Sequence, residues 1–228
     1  MVSKSTLTFL EDLKYNNNRE WFQNHKDRYE VALDEFYGLT EQLLTGISEF
    51  DEGVRMSFLE AKQCVMRIYR DTRFSADKSP YKDHFFCFMN RAGRKSPYAG
   101  YYLNLAPGGQ SFLGGGVYMP DSGALKAMRE GISQAPEKWL GIAEQTNLFD
   151  VFPNGIQAPS VLKRPPRGWA DDHPAIGYLK FKGFYTQRFI SDDEIVSDEF
   201  VGFALAAYRK VSGLVGFLNT ALDDFLRE

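Results

Sequence analysis

Short strand-like runs separated by turn residues occupy residues 64–118, and they commit the chain to a fold built on a sheet. Residues 64–74 alternate with period two. Arg67, Tyr69, Asp71 and Arg73 fall on one face, and Met66, Ile68, Arg70, Thr72 and Phe74 on the other. Ser79-Pro80 makes 75–83 a loop. Residues 85–90, 98–106 and 111–118 read as further strands, with Pro107-Gly108-Gly109 as a turn. Successive strands joined by short turns pair antiparallel, because parallel pairs need a long crossover. A later run, 177–190, suits a strand or hairpin with Gly183 at the bend. The expectation is an α+β fold with an antiparallel sheet of about five or six strands, flanked by a long N-terminal helix and C-terminal helices.

The helical segments lie outside this region. Leu7, Leu10 and Leu13 step at helical spacing over 6–14, and Asn16, Asn17 and Asn18 end that helix. Asparagine caps helix starts well, so a long helix is expected over 19–48, with Phe22, Tyr29, Leu33, Phe36, Leu43 and Ile47 as its apolar stripe. A helix opened by Pro120-Asp121 runs through about Ser133 with Leu125, Met128 and Ile132 inward, and Pro136 starts a short one. Five prolines (153, 159, 165, 166 and 174) make 150–175 loop-rich. Residues 198–227 are helical, with a break expected near Ser212-Gly213. No repeat or clean linker interrupts the chain, so one domain is expected over residues 1–228.

Apolar residues make up 43% of the 228 positions, which supports a real core. Net charge is only −3, so bulk charge gives no reason to expect a polyanionic partner. Its distribution is uneven. Residues 62–95 hold nine Lys/Arg (Lys62, Arg67, Arg70, Arg73, Lys78, Lys82, Arg91, Arg94, Lys95) against Asp71, Asp77 and Asp83, whereas 192–199 is acidic. Cys64 and Cys87 fit no metal spacing and are expected as free thiols, a lone disulfide being the alternative. The N-terminus has no apolar core of a signal peptide, and no stretch reads as approaching the roughly 18 apolar residues that span a bilayer. A cytoplasmic location without membrane contact is expected.

Phosphate-cradling and nucleophile motifs are absent: there is no G-x-x-x-x-G-K-[ST], G-x-G-x-x-G or G-x-S-x-G. With His25, His84 and His173 alone, H-E-x-x-H cannot occur. S-x-x-K appears three times, at Ser75/Lys78, Ser79/Lys82 and Ser160/Lys163, and carries no weight without a helix to present it. No cofactor and no metal site is expected.

The informative segment is 67–84. Arg67, Arg70 and Arg73 lie within seven residues, and guanidinium groups capture carboxylate or phosphate bidentately. Lys78, Tyr81, Lys82 and His84 follow. His84 is the natural titrating group near neutrality, Lys82 or Asp71 are further candidates for moving a proton, and Tyr81 can stack on a ligand or donate to it. Asp71 shares a face with Arg67 and Arg73 and can hold one of them. A second basic loop, 163–169, brings Arg164 and Arg167 on a proline-stiffened backbone, followed by Asp172 and His173, where the acid can orient the imidazole. The plainer reading is a solvated face laced with weak ion pairs worth about 0–1 kcal/mol each. Trp21 reads as packing the first helices to the sheet, and 114–116 as a bulge or strand end.

Residues 17–22 (NNREWF), 67–82 (RIYRDTRFSADKSPYK), the triple glycine before Pro120, and 162–169 (LKRPPRGW) with Asp172-His173-Pro174 together resemble one family. It is the family numbered 2461 among the domains of unknown function, conserved hypothetical proteins of bacteria and fungi. The resemblance covers nearly the whole chain. It implies a single α+β domain and no particular activity. The signature positions present are Arg67, Arg70, Asp71, Arg73, Asp77, Lys78, Tyr81, Lys82, Arg164, Pro165, Arg167, His173 and Pro174.

Three functions stay open on the sequence. The leading one is binding or turnover of a small anionic ligand, phosphorylated or carboxylated, held by Arg67, Arg70, Arg73, Lys78, Tyr81, Lys82, Arg164 and Arg167, with His84, Lys82, Asp71 or His173 as proton-moving candidates. The second makes the Arg/Asp cluster an internal polar network. The third, a nucleic-acid-binding module, is weakened by the acidic composition. Whether 67–84 and 163–173 converge, and the oligomeric state, are not set by the sequence.

Overall fold

The structure, a computed structural model, describes residues 2–226. In chain order its elements are α1 (Lys4–Tyr15), α2 (Arg19–Asn24), α3 (Lys26–Ile47), α4 (Glu52–Ser57), α5 (Ala61–Cys64), β1 (Phe85–Met89), β2 (Gly100–Leu105), β3 (Ser111–Val117), α6 (Ser122–Gln134), α7 (Pro136–Ala143), α8 (Thr146–Phe149), α9 (Ile176–Leu179), β4 (Phe184–Ile190), α10 (Asp192–Ile195) and α11 (Phe200–Leu226). The fold is α+β, with one antiparallel sheet in the order β1-β2-β3-β4.

Four strands replace the expected five or six, for two local reasons. Residues 61–64 are helical and closed by a capping box between Glu60 and Gln63. The chain beyond them meets the 81–87 stretch only at two isolated antiparallel bridges, Val65↔Cys87 and Tyr69↔Tyr81. In the 177–190 run, residues 176–179 form a helical turn and only Phe184–Ile190 is strand.

The long N-terminal helix is split at His25. Asn18 caps α2 by accepting from Trp21 N. The His25 ring stacks on Trp21 with centroids 4.1 Å apart, and its Nδ1 donates to the Trp21 carbonyl at 2.8 Å. That bond adds to the one that the backbone N–H of His25 donates to the same carbonyl at 3.1 Å, while His25 itself leaves helical backbone geometry (φ −123°). Trp21 also faces Phe9 of α1. Helix α11 shows the opposite correction, running unbroken through Ser212-Gly213. A mid-helix glycine costs about 1 kcal/mol, and the buried Val211, Leu214, Val215 and Leu218 around it outweigh that. Its expected last position, Arg227, lies outside the described residues. Helix α11 is also long and apolar enough to cross a membrane, contrary to the expectation that no stretch approaches that length, and 44% of its most apolar window is buried within the protein.

The chain groups into two compact units. The first comprises residues 1–94, 102–113 and 189–205, and its core lies between α1, α3 and β1. Phe36 stacks on Phe85 at 5.4 Å, Phe22 on Tyr81 at 3.9 Å, and Leu10 and Leu13 are fully buried. Glu35 on α3 accepts from Ser3 N, Ser3 Oγ and Thr6 Oγ1, which fixes the start of α1. Burial works to raise its carboxyl pKa, but the Thr6 and Ser3 bonds prevail and hold it low. Cys64 and Cys87 are buried free thiols, and burial pushes them up to about 11 and about 12.

The second unit comprises residues 95–101, 114–188 and 206–228. Trp139 is fully buried there against Tyr178, Phe184 and Phe217. Strand β3 presses on β4 so closely that a Cβ on Gly116 would lie 2.1 Å from the Phe184 carbonyl, and Gly116 has φ +120°. Both facts require glycine at that position.

Candidate functional site

The register of the two isolated bridges creates the site. From Val65 to Tyr69 is four steps, whereas from Tyr81 to Cys87 is six. The ladder closes with Lys82 N→Ile68 O at one end and Met66 N→Phe86 O at the other, both 2.8 Å. Two extra residues must bow out between them, and Asp83 and His84 are the bent pair. A bulge redirects side chains and ends regular pairing, which is why bulges recur beside functional sites. Here it turns Lys82, Asp83 and His84 toward a cleft of about 700 Å³, also lined by Lys14, Asn17, Arg70, Asp71, Asp77 and Ser79.

The strand-like pairing is anchored from α1's end. Asn17 Nδ2 donates to Tyr81 O at 2.9 Å, and Tyr81 N donates to Asn17 Oδ1 at 3.0 Å. The side-chain amide thus plays the part of a neighbouring peptide. The Tyr81 ring, read from sequence as a ligand-stacking group, is 3% exposed and stacks on Phe22.

The loop between the bridges is stitched by its own charges. Arg70 Nη1 donates to Asp77 Oδ2 and to Ser79 Oγ. The Arg70 contact and the bonds from Ser79 N and Oγ hold the Asp77 carboxyl down to about 2. Arg73 forks onto Asp71, Nε at 3.0 Å and Nη2 at 2.7 Å, and this bond lowers the Asp71 carboxyl and raises the Arg73 guanidinium. Asp71 therefore holds Arg73 rather than Arg67. Lys78 Nζ donates to Thr72 O at 2.9 Å. His84 Nδ1 lies 3.2 Å from Asp83 Oδ1.

Every aspartate in the cleft is thus engaged, as is Arg70, but Lys82 and Lys14 are not. Lys82 is half-buried, and its ammonium has no hydrogen bond or ion pair among the described residues. Burial, then the nearby Arg67, push its pKa below the ordinary 10.5. Arg67 and Lys14 are exposed and likewise have no carboxylate partner among the described residues.

Arg164, Arg167 and His173 belong to the second unit. Arg164 and Arg167 are exposed. His173 is engaged structurally: its Nδ1 accepts from Ala175 N at 3.1 Å, which leaves the proton on Nε2, 3.2 Å from Ser133 Oγ. That pair of bonds orients the ring, where the sequence reading assigned Asp172. Among the described residues no group of three or more His, Cys, Asp or Glu is placed to hold a metal ion.

Lys14, Asn17, Ser79 and Asp83 line the cleft and were not singled out from sequence. Asn17 carried the one available signal, as part of the 17–22 segment, but its role there looked like helix breaking. Lys14 carried none.

The fold and cleft define a class: an α+β protein with a four-stranded antiparallel sheet and a polar, bulge-opened cleft, lined by three Lys/Arg and three Asp, beside its first strand. Within that class the chain belongs to the family of conserved hypothetical proteins DUF2461, whose family model matches residues 5–217. Comparison with curated proteins and with solved structures found no match.

Proposed function

We propose that the cleft binds, and positions for turnover, a small anionic ligand, phosphorylated or carboxylated. One observation carries this reading: Lys82 is a half-buried cation with no hydrogen bond or ion pair among the described residues. Desolvating an unpaired charge is costly unless a counter-charge arrives, and a ligand anion supplies it. Arg67 and Lys14 add positive potential at the rim. Asp83 beside His84 Nδ1 gives the imidazole a fixed partner, so that its other nitrogen is the one offered to a substrate. The reading needs no metal and no cofactor, and takes the chain as one cytoplasmic domain.

Arg70 and Arg73 take a different part. Their pairing with Asp77 and Asp71 favours a polar network that shapes the loop. The division of labour is therefore Lys82, Arg67 and Lys14 for the anion, Arg70 and Arg73 for the wall.

Thermal melting with inorganic phosphate, phosphorylated metabolites and dicarboxylates, each at millimolar concentration, tests the proposal. Binding to the native state alone raises the melting temperature by mass action. The wild type should respond to at least one such anion, and Lys82→Met should not. A wild type indifferent to all of them, or an undiminished response in Lys82→Met, refutes the reading.

A further inference from the structure

The cleft above Lys82 does not end at His84. A second cavity of about 470 Å³ shares Lys14, Asp83 and His84 with it and is otherwise lined by Phe86, Asn104, Ala106, Pro107, Gln110, Phe112 and Phe189. All of these residues belong to the first unit. The polar half and this second half therefore share one wall of three side chains.

The second half is aromatic by construction. Phe86, Tyr102, Phe112 and Phe189 come one from each strand and form a chain of ring contacts, with centroids 6.1, 6.2 and 5.9 Å apart. Phe189, at its end, is 59% exposed, and Phe86 and Phe112 are half-buried. Phe112 stands at 78° to Tyr102 and 72° to Phe189, so these rings offer a planar ligand one face to stack on and a neighbouring ring to meet edge-on. Asn104 adds a directional feature. It is 6% exposed, and its Nδ2 donates to Gln110 O at 3.2 Å. Its Oδ1 accepts no hydrogen bond among the described residues and is open to solvent, so a free acceptor borders the cavity.

Resting on the anion reading above, we infer that the ligand is a planar, N–H-bearing ring joined to a phosphate, a ligand of the nucleoside-monophosphate class. Its phosphate meets Lys82, and its ring stacks on Phe189 and meets Phe112, which stands at 72° to Phe189, edge-on, with an N–H donated to Asn104 Oδ1. Lys14 and His84 flank the junction. The two halves explain each other. An anion alone leaves the aromatic cavity and the Asn104 acceptor unused, and an apolar ligand alone leaves Lys82 unbalanced.

The test is calorimetric titration of the full chain with AMP, CMP, adenosine and inorganic phosphate, for wild type, Phe189→Ala and Lys82→Met. Phe189 is exposed, so its truncation spares the core. The expected result is that a nucleotide binds wild type at least tenfold tighter than phosphate does. Phe189→Ala should weaken the nucleotide about tenfold and leave phosphate unchanged, since a stacked base contributes roughly that factor or more. Lys82→Met should weaken both. Phosphate binding without any gain from the ring overturns this inference and leaves the anion reading standing. Loss of every interaction, phosphate included, removes both. Binding of an oligonucleotide with steep salt dependence, but not of mononucleotides, also overturns it, because the aromatic face would then serve a single-stranded nucleic acid.

Discussion

Replacing Lys82 with methionine should make the ligand-free protein more stable. The substitution keeps a flexible stem of similar length and removes the charge. In the fold that charge is disfavoured first by burial and then by Arg67, with no compensating bond. Burying an unpaired polar group costs about 1–3 kcal/mol by protein mutational measures. Lys82 is only half-buried, so about half of that, roughly 0.5–1.5 kcal/mol, should be recovered. For a chain of this size 1 kcal/mol moves the melting temperature by about 2–4 °C, which gives a rise of about 1–6 °C at pH 7. The sign of the pH dependence follows. Because Lys82 titrates below 10.5 in the fold, the unfolded chain binds more protons between its folded value and 10.5. The wild type therefore gains on the variant as pH rises through that window. The variant's advantage is full at pH 7 and should shrink toward pH 10. Melting curves for both proteins at pH 7, 8.5 and 10 suffice. A variant less stable at pH 7, or an advantage that widens with pH, would refute the claim that Lys82 lacks a partner.

Other consequences are open to the same assays. Asn17→Ala removes both bonds to the Tyr81 backbone and leaves that peptide unserved, which should cost about 1–3 kcal/mol, read as a lower denaturation midpoint together with a weakened response to anions. Glu35→Gln should cost about 1.5–3 kcal/mol at neutral pH. Because the folded Glu35 pKa lies below the ordinary 4.5, this contribution is present above 4.5 and is lost as pH falls through the folded value, so acid denaturation curves of wild type and variant should converge at the acid end.

Part of the lining of the candidate cleft (Arg70, Asp71, Tyr81, Lys82 and His84) was legible in the sequence, and the limits have physical causes. The alternation over 64–74 separated exposed Arg67, Tyr69 and Asp71 from buried Ile68, but it failed at Phe74, placed on the Ile68 face and 96% exposed where the chain bends. Period two reports only which side of an extended chain faces the core. It says nothing about whether a neighbour keeps register, and here the neighbour slips by two residues. The Asp71–Arg73 fork is legible because an i, i+2 pair on extended backbone shares a face. The Arg70–Asp77–Ser79 cluster is not, since it forms only when the loop folds back. Likewise, nothing in the string of residues distinguishes Lys82 from Lys78; the one lies beside a bulge and is half-buried, the other reaches a loop carbonyl. The helix break at His25 escaped notice because it depends on an imidazole bonding a carbonyl four residues back. The expected break at Gly213 rested on propensity, which burial overrode.

The slipped pairing of residues 65–69 also bears on how the molecule behaves in a crowded solution. Strand β1 lies at the margin of the sheet, and an uncovered margin invites a strand from another chain to add on. Residues 65 and 66 occupy that margin at Val65↔Cys87 and Met66 N→Phe86 O. Because the pairing is interrupted at once, the covering segment does not itself become a long, flat margin that repeats the hazard. Deleting Asp83 and His84 would bring both bridges into one register and extend the sheet by a regular strand. The result would be a tidier ladder that has lost its cleft and gained a surface for self-association. The irregularity that opens the cleft thus also shortens the regular margin that this side of the sheet offers to another strand.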